Sequence, residues 1–235
     1  MEALLLAGGK AERLGEAAQG NPKPLVPIAG YPLAEYTVAR LVAAGVTRVI
    51  VACRAGQEDV FVNALGGLGA EIEPVGEPEP LGRGGGLRFA ATRRRDDGPV
   101  LALNGDELLD VDLAALRAEH ERSRPAATLV VAQVHSPFGV VDLRDDGAIT
   151  GFREAPKLPH WVNSGVYVLD DEALARLPER GDHEQSTFPE LAAEGKLRGF
   201  RHEGVWLTVN TPKDLSRAER FMAEHPDWTP RRRLP

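Results

Sequence analysis

The chain has 235 residues, 43 % of them hydrophobic and 27 % charged, a balance that suits a globular protein with a real core and a length nearer one large domain than two. Its formal net charge of −7 argues against a general nucleic-acid binder, which needs a basic face, but leaves room for one phosphorylated ligand met by a few placed cations. A single cysteine, Cys53, excludes an internal disulfide and a cysteine-rich metal site, and no segment approaches the roughly 20 apolar residues of a membrane span.

In chain order, Met1-Glu2 runs straight into Ala3-Leu4-Leu5-Leu6-Ala7. With no basic residues ahead of it and too few apolar ones, this stretch reads as a first strand rather than a leader peptide, which makes the cytoplasm the expected compartment. A glycine- and proline-rich loop follows to Pro32. The spacing of Leu33, Tyr36, Ala39 and Val42 predicts a helix over 33–44, stopped by Gly45. Strands are expected at 48–52, 70–75 and 99–103, with helices at 59–65 and 86–95. Short leucine-rich or β-branched runs separated by helices make βαβ units, hence a parallel sheet with right-handed crossovers. Cys53, at the end of an apolar run, reads as a small core residue. The second half is richer in strands, at 127–134, 139–143, 148–153 and 162–169, with Asp145-Asp146-Gly147 as a hairpin signal; it reads as an extension of the same sheet. A helix over 215–224 closes the fold. No linker divides residues 1–225, which are expected to form one domain, and 226–235, with the run Arg231-Arg232-Arg233, reads as a solvated tail.

The most informative stretch is Leu5-Leu6-Ala7-Gly8-Gly9-Lys10-Ala11-Glu12-Arg13-Leu14, followed by Asn21-Pro22-Lys23-Pro24-Leu25. A strand ending in consecutive glycines lets backbone amides approach a phosphate without interference from Cβ. The spacing fits neither a Walker A loop nor the dinucleotide fingerprint G-x-G-x-x-G. Lys23 stands between two prolines, which stiffen its backbone and present its ammonium on a rigid support. Further on, Val100-Leu101-Ala102-Leu103-Asn104-Gly105-Asp106 is an apolar strand with an acidic tip. Open α/β sheets bind ligands beyond the carboxyl ends of their strands, and Asp106 there is a hard oxygen donor of the kind Mg2+ takes alongside substrate phosphates. Asn210-Thr211-Pro212 carries a helix start, with Thr211 as N-cap and Pro212 at the first helical position.

In this order the segments resemble the sugar-phosphate nucleotidyltransferases, whose signature is A-G-G-x-G-T-R-L followed by P-K-P-L, and which include mannose-1-phosphate guanylyltransferases and glucose-1-phosphate thymidylyltransferases. The resemblance implies a Rossmann-like, GT-A-like α/β domain over 1–225, with a central, mostly parallel mixed sheet flanked by helices. It implies that Leu6, Ala7, Gly8, Gly9 and Lys10 cradle a triphosphate, that Arg13 assists the leaving pyrophosphate, and that Lys23 contacts the α-phosphate and the incoming phosphate. Glu79-Pro80-Leu81-Gly82-Arg83-Gly84-Gly85-Gly86-Leu87 resembles the family's second glycine-rich loop, E-x-P-L-G-T-[AG]-G-A-L, making Gly82, Arg83 and Gly84 nucleotide contacts. Arg83 replaces the usual threonine; its guanidinium suits a phosphate or the face of a base, or caps a solvated turn. Asp106 matches the magnesium-binding aspartate. The second metal ligand of many members lies in W-x-D-x-G-T-P. Here Trp206-Leu207-Thr208-Val209-Asn210-Thr211-Pro212 has Thr208 in the aspartate's place and resembles instead the V-N or V-D-T-P endings of other members, which implies Asn210 as the second ligand.

Phe138-Gly139-Val140-Val141, Phe152-Arg153-Glu154-Ala155-Pro156 and Trp161-Val162-Asn163-Ser164-Gly165-Val166-Tyr167 resemble the acceptor-binding pieces, so Gly139, Glu154 and Asn163 are implied to hold sugar hydroxyls. Ala155 occupies the usual lysine's place, and Lys157 is the candidate substitute. Phe188-Pro189-Glu190-Leu191-Ala192-Ala193-Glu194-Gly195-Lys196-Leu197 resembles the mannose-type members, which implies GTP and a manno-configured sugar 1-phosphate as substrates, with Mg2+ as cofactor. A homo-oligomer is compatible with the sequence. One alternative keeps the chemistry with a non-sugar phosphate acceptor; the departures at Ala11, Glu12, Ala155 and Thr208 keep open a second, a nucleotide- or sugar-binding regulatory homologue without turnover.

Overall fold

The computed structural model describes residues 1–9, 11–228 and 230; the expected loop contact Lys10 and the tail's run of arginines lie outside the described residues. Seven strands make one sheet in the order Leu197–His202, Ala127–His135, Lys157–Leu169, Val100–Asn104, Glu2–Leu6, Arg48–Arg54 and Glu71–Glu77. All run in one direction except Lys157–Leu169, which is antiparallel to both of its neighbours. The mixed, mostly parallel sheet that the resemblance implies is therefore present.

Successive strand residues point to opposite faces, and both faces are covered. Ala3, Leu5, Val49, Val51 and Cys53 pack on one side against the helices Leu33–Ala43, Glu58–Leu65 and Leu113–Ser123. Leu4, Ile50, Ala52 and Ala102 pack on the other against Gly82–Ala91, Asp171–Ala175 and Thr187–Ala193. This two-sided burial is why the central strands are apolar runs with no alternation. Cys53 is a core residue as expected, and burial pushes its thiol up to about 12. A third cluster joins Leu14, Ile28 and Leu33 to Leu207, Val209 and Met222, docking the helix Pro212–Glu224 beside the first loop.

The chain lays down Glu2–Leu6, steps outward through Arg48–Arg54 to Glu71–Glu77, then returns to the other side of the first strand with Val100–Asn104. The loops leaving Leu6 and Asn104 thus part at a topological switch point, where such sheets open a crevice.

Three expectations need correction. Val140–Leu143 and Ile149–Arg153 form a separate two-stranded hairpin rather than an extension of the sheet. Its Leu143–Ile149 and Val141–Phe152 pairs put apolar side chains on one face and the Asp142–Arg153 ion pair on the other. The helix expected over 86–95 is Gly82–Ala91, so the second glycine-rich loop is largely the helix's first turn. Glycine is a poor helix former, but here it is required by packing: a Cβ on Gly84 would lie 2.7 Å from the Pro178 ring and 2.8 Å from the His183 backbone nitrogen, and one on Gly85 would lie 2.6 Å from the Glu179 carbonyl. The stretch up to Pro32, expected to be loop, contains the short 3-10 helix Glu12–Ala18, kinked at Gly15.

Candidate active site

At the switch point the carboxyl ends of four parallel strands surround a cleft of about 840 Å³, a size usual for small-molecule sites. Its lining includes Leu6, Gly8 and Gly9 from the first loop, Arg54 and Glu77 from two strand ends, Gly82 and Arg83 from the glycine-rich helix start, and Arg13, Lys23, Asp106, Glu107 and Asn210. Among the described residues of the first loop, Ala7 has its amide committed to the sheet, donating to the Ala52 carbonyl at 2.7 Å.

Three separate segments bring the charged groups together. Lys23 opens the short 3-10 helix Lys23–Leu25 after Pro22 and is 7 % exposed. Asp106 sits on the turn after Val100–Asn104, where the Gly105 amide donates to the Leu6 carbonyl at 2.9 Å. A Cβ on Gly105 would stand 2.6 Å from that oxygen, so only glycine lets the acidic turn press onto the first strand. Asn210 precedes the helix Pro212–Glu224, whose capping box pairs Thr211 with Asp214 and whose Asp214 carboxylate also accepts from the Asn210 amide at 3.2 Å. The helix-capping role and an inward-facing Asn210 side chain coexist. The Lys23 ammonium donates to the Asp106 carboxylate and, at 2.6 Å, to Asn210 Oδ1; Arg13 donates to the same Asn210 oxygen at 3.0 Å. Glu12 lies exposed and does not line this cleft.

Two carboxyl groups that the motifs did not single out complete the cleft. Burial, reinforced by the negative charge of Asp106, pushes Glu107 up to about 8, although the Trp206 indole donates to it at 2.8 Å. Glu107 faces Thr208 directly across a short antiparallel ladder. Burial also raises the Glu77 carboxyl; one of its oxygens accepts from the Leu81 amide at 3.2 Å, and the other lies 2.6 Å from where a Gly86 Cβ would be. Arg54 donates to the Gly8 carbonyl at 3.3 Å, tying a strand end to the first loop. The only signal for these residues is their position at or just past the end of a strand, which becomes meaningful once the strand order is known.

The second glycine-rich segment divides. Gly82 and Arg83 line the cleft, while Gly84 is buried under Pro178 and His183. Arg83 is half-exposed and is neither a solvated cap nor a free cation: it bonds Asp182 at 2.9 Å and pairs with Glu184 at 2.8 Å. Glu184 in turn accepts from Asn163 at 2.7 Å and from the Tyr167 hydroxyl at 3.2 Å.

Gly139, Glu154, Asn163 and Lys157 do not line the cleft. Gly139 and Glu154 meet across the base of the hairpin, a Cβ on the glycine falling 3.1 Å from a Glu154 carboxylate oxygen. Lys157 begins the reversed strand opposite His135. That strand pairs Val166 with Leu103, so its earlier residues overhang Asn104 on the cleft side. Gly165, with φ of +77°, passes so close to Asn104 that a Cβ would fall 2.5 Å from the amide nitrogen, and Asn163 is held just beyond it, accepting from the Gly165 amide at 3.0 Å.

The family described as nucleotidyl transferase matches residues 2–225. The chain is 34 % identical over 228 residues to the mannose-1-phosphate guanylyltransferase of Mycobacterium tuberculosis (strain ATCC 25618 / H37Rv), covering 92 % of this chain and 63 % of that one. It is 36 % identical over 227 residues to the mannose-1-phosphate guanyltransferase of Emericella nidulans, covering 92 % and 62 %. It thus spans a little under two thirds of the length of these relatives. Among solved structures, HddC from Yersinia pseudotuberculosis, complexed with GMP-PN, has a TM-score of 0.71 at 20 % identity, covering 94 % of this chain and 99 % of that one, a likeness of fold.

Proposed function

The chain belongs to the nucleotidyl transferase family, and from that footing we propose that it transfers a nucleoside monophosphate from a nucleoside triphosphate to a sugar 1-phosphate, releasing pyrophosphate. The observation that carries this reading is the convergence of Arg13, Lys23, Asp106 and Asn210, from distant parts of the chain, on one cleft under the glycine loop. An oxygen of the acceptor phosphate attacks the α-phosphorus in line. The bond from that phosphorus to the α,β-bridging oxygen breaks, and its electron pair leaves on pyrophosphate. The attacking phosphate is already ionised, so no protein base or nucleophile is needed; the work is positioning and charge neutralisation. Lys23 neutralises the reacting phosphates, Arg13 the departing pyrophosphate, and Gly8 and Gly9 admit the chain of phosphates to the backbone.

Mg2+ fits this site. The Asp106 carboxylate and the Asn210 amide oxygen already converge on a single cation, the Lys23 ammonium, and both are hard oxygen donors of the sort Mg2+ prefers. When bound, the ion would neutralise phosphate oxygens as charge shifts toward the leaving group. We take GTP as the donor and a manno-type sugar 1-phosphate as the acceptor. The relatives that are mannose-1-phosphate guanylyltransferases support this, as does the Glu77 carboxylate at the cleft. Gly139, Glu154, Asn163 and Lys157 are the proposed acceptor contacts, with the cytoplasm as the compartment where both substrates occur.

The test is pyrophosphate release with Mg2+ across four nucleoside triphosphates and a panel of sugar 1-phosphates, beside Asp106→Ala. A strong signal for one pair, reduced at least roughly 100-fold in the variant, is the expected result. Silence for every pair, from folded protein that binds nucleotide, would overturn it.

A further inference from the structure

The Lys23 ammonium stands at the cleft wall already engaged. It is nearly buried and donates to both oxygens assigned above to the metal, those of Asp106 and Asn210, while Arg13 shares the Asn210 oxygen. We propose that Lys23 is the resident cation of the Asp106–Asn210 pair in the nucleotide-free protein, and that it yields this place only when nucleotide phosphates arrive to receive it, so that divalent ion and nucleotide enter together rather than ion first. The proposal rests on Asp106 and Asn210 being the metal ligands.

The argument is one of charge. In direct contact, the pair offers one ionised carboxylate and one neutral amide to two monocations. A divalent ion entering alone must dislodge a buried ammonium and then sit beside two positive groups. In a partly buried site such repulsions are several times stronger than in water, and a buried ammonium without a partner is costly. A triphosphate reverses each term. It brings negative charge, gives Lys23 and Arg13 new partners, and frees the two oxygens for the ion. The prolines on either side of Lys23 fix its backbone, so the exchange is a swing of one side chain and leaves the loop in place. Lys23 would then serve as a gate on metal loading as well as a phosphate ligand.

The probe is Mn2+ titrated into the nucleotide-free full chain and followed by the electron paramagnetic resonance of the free ion. Wild type is expected to bind it weakly, and added GTP to lower the free-ion signal further than the same GTP does without protein. Lys23→Met should bind Mn2+ alone roughly tenfold tighter or more, Lys23→Arg should show no such gain, and Asp106→Asn placed on Lys23→Met should remove it. A folded Lys23→Met that binds Mn2+ no tighter than wild type overturns the proposal. So does tight stoichiometric Mn2+ binding by wild type without nucleotide, which settles the matter even if the variant fails to fold. Neither titration needs an acceptor or turnover, so a failed pyrophosphate assay and a failed exchange are separate results.

Discussion

Glu77 ends an edge strand of the sheet, yet its carboxyl lies within the cleft between Gly8 and Gly86. One oxygen is held by the Leu81 amide and the other has no hydrogen-bond partner among the described residues. A half-buried carboxylate with one oxygen facing the cleft is placed to accept from a ligand's donors. Guanine presents N1–H and N2–H side by side, a match for a carboxylate; uracil and thymine present one N–H flanked by carbonyls, which a carboxylate repels. Glu77→Gln is therefore expected to lower kcat/KM for GTP by roughly 10- to 100-fold, more than for the other triphosphates, since unpairing a charged hydrogen bond costs about 1.5–3 kcal/mol. Kinetics with each triphosphate decide it, and an unchanged preference for GTP would remove Glu77 from base recognition. Arg13, Lys23, Asp106 and Asn210 were legible in the sequence because each lies in a contiguous motif. Glu77, Arg54 and Glu107 were not, because a lone charged residue at a strand end gains meaning only from the neighbours that the sheet order gives it.

Among elements, the glycine-rich helix Gly82–Ala91 separates what periodicity can read from what packing decides. The helix Leu33–Ala43 and the strand Arg48–Arg54 follow from apolar spacing and leucine- or valine-rich runs, and both match expectation closely. In Gly82–Ala91 the local preference opposes the helix, and the contacts with 178–183 override it. The hairpin 140–153 departs from expectation for a related reason. Its residues have strand character, but which sheet a strand joins depends on partners far along the chain. Gly84→Ala should cost about 1–3 kcal/mol, because its Cβ meets a proline ring and a backbone nitrogen that cannot move aside. Gly9→Ala, whose Cβ would meet nothing within 4 Å, should change stability far less. Denaturant midpoints of the two variants measure the contrast, and equal midpoints would contradict it.

For the molecule as a whole, His183 is expected to weaken the fold in mild acid. Its ring is wholly buried between Tyr167 and Phe188, and neither ring nitrogen has a hydrogen-bond partner among the described residues. Burial drives it down to about 4 from its ordinary 6.5, against a weaker opposing pull from Asp182. Between those values the unfolded chain binds the proton and the folded one does not, so stability falls as pH drops from about 6.5 to about 4, by roughly 3 kcal/mol at most. Glu107, raised to about 8, contributes an opposite slope, since its stabilising proton is lost as pH rises. Comparing wild type with His183→Leu isolates the histidine. The variant should gain on wild type steadily over that acid window, and a gap independent of pH would show that the ring is not the cause.

The switch-point topology also has a consequence in time. Ala3 pairs on one side with Val49 and on the other with Leu101, 98 positions later. At about 5–20 residues per second of synthesis, the ribosome delivers that second neighbour roughly 5–20 s after the first strand emerges. Through that interval the first strand, interior in the finished sheet, is an unclosed edge with apolar residues on both faces, and the phosphate loop has no floor. The same chain order that opens a cleft in the mature protein leaves this apolar strand with an open edge longer than any other interior strand of the sheet, a reason to expect slow, chaperone-sensitive maturation.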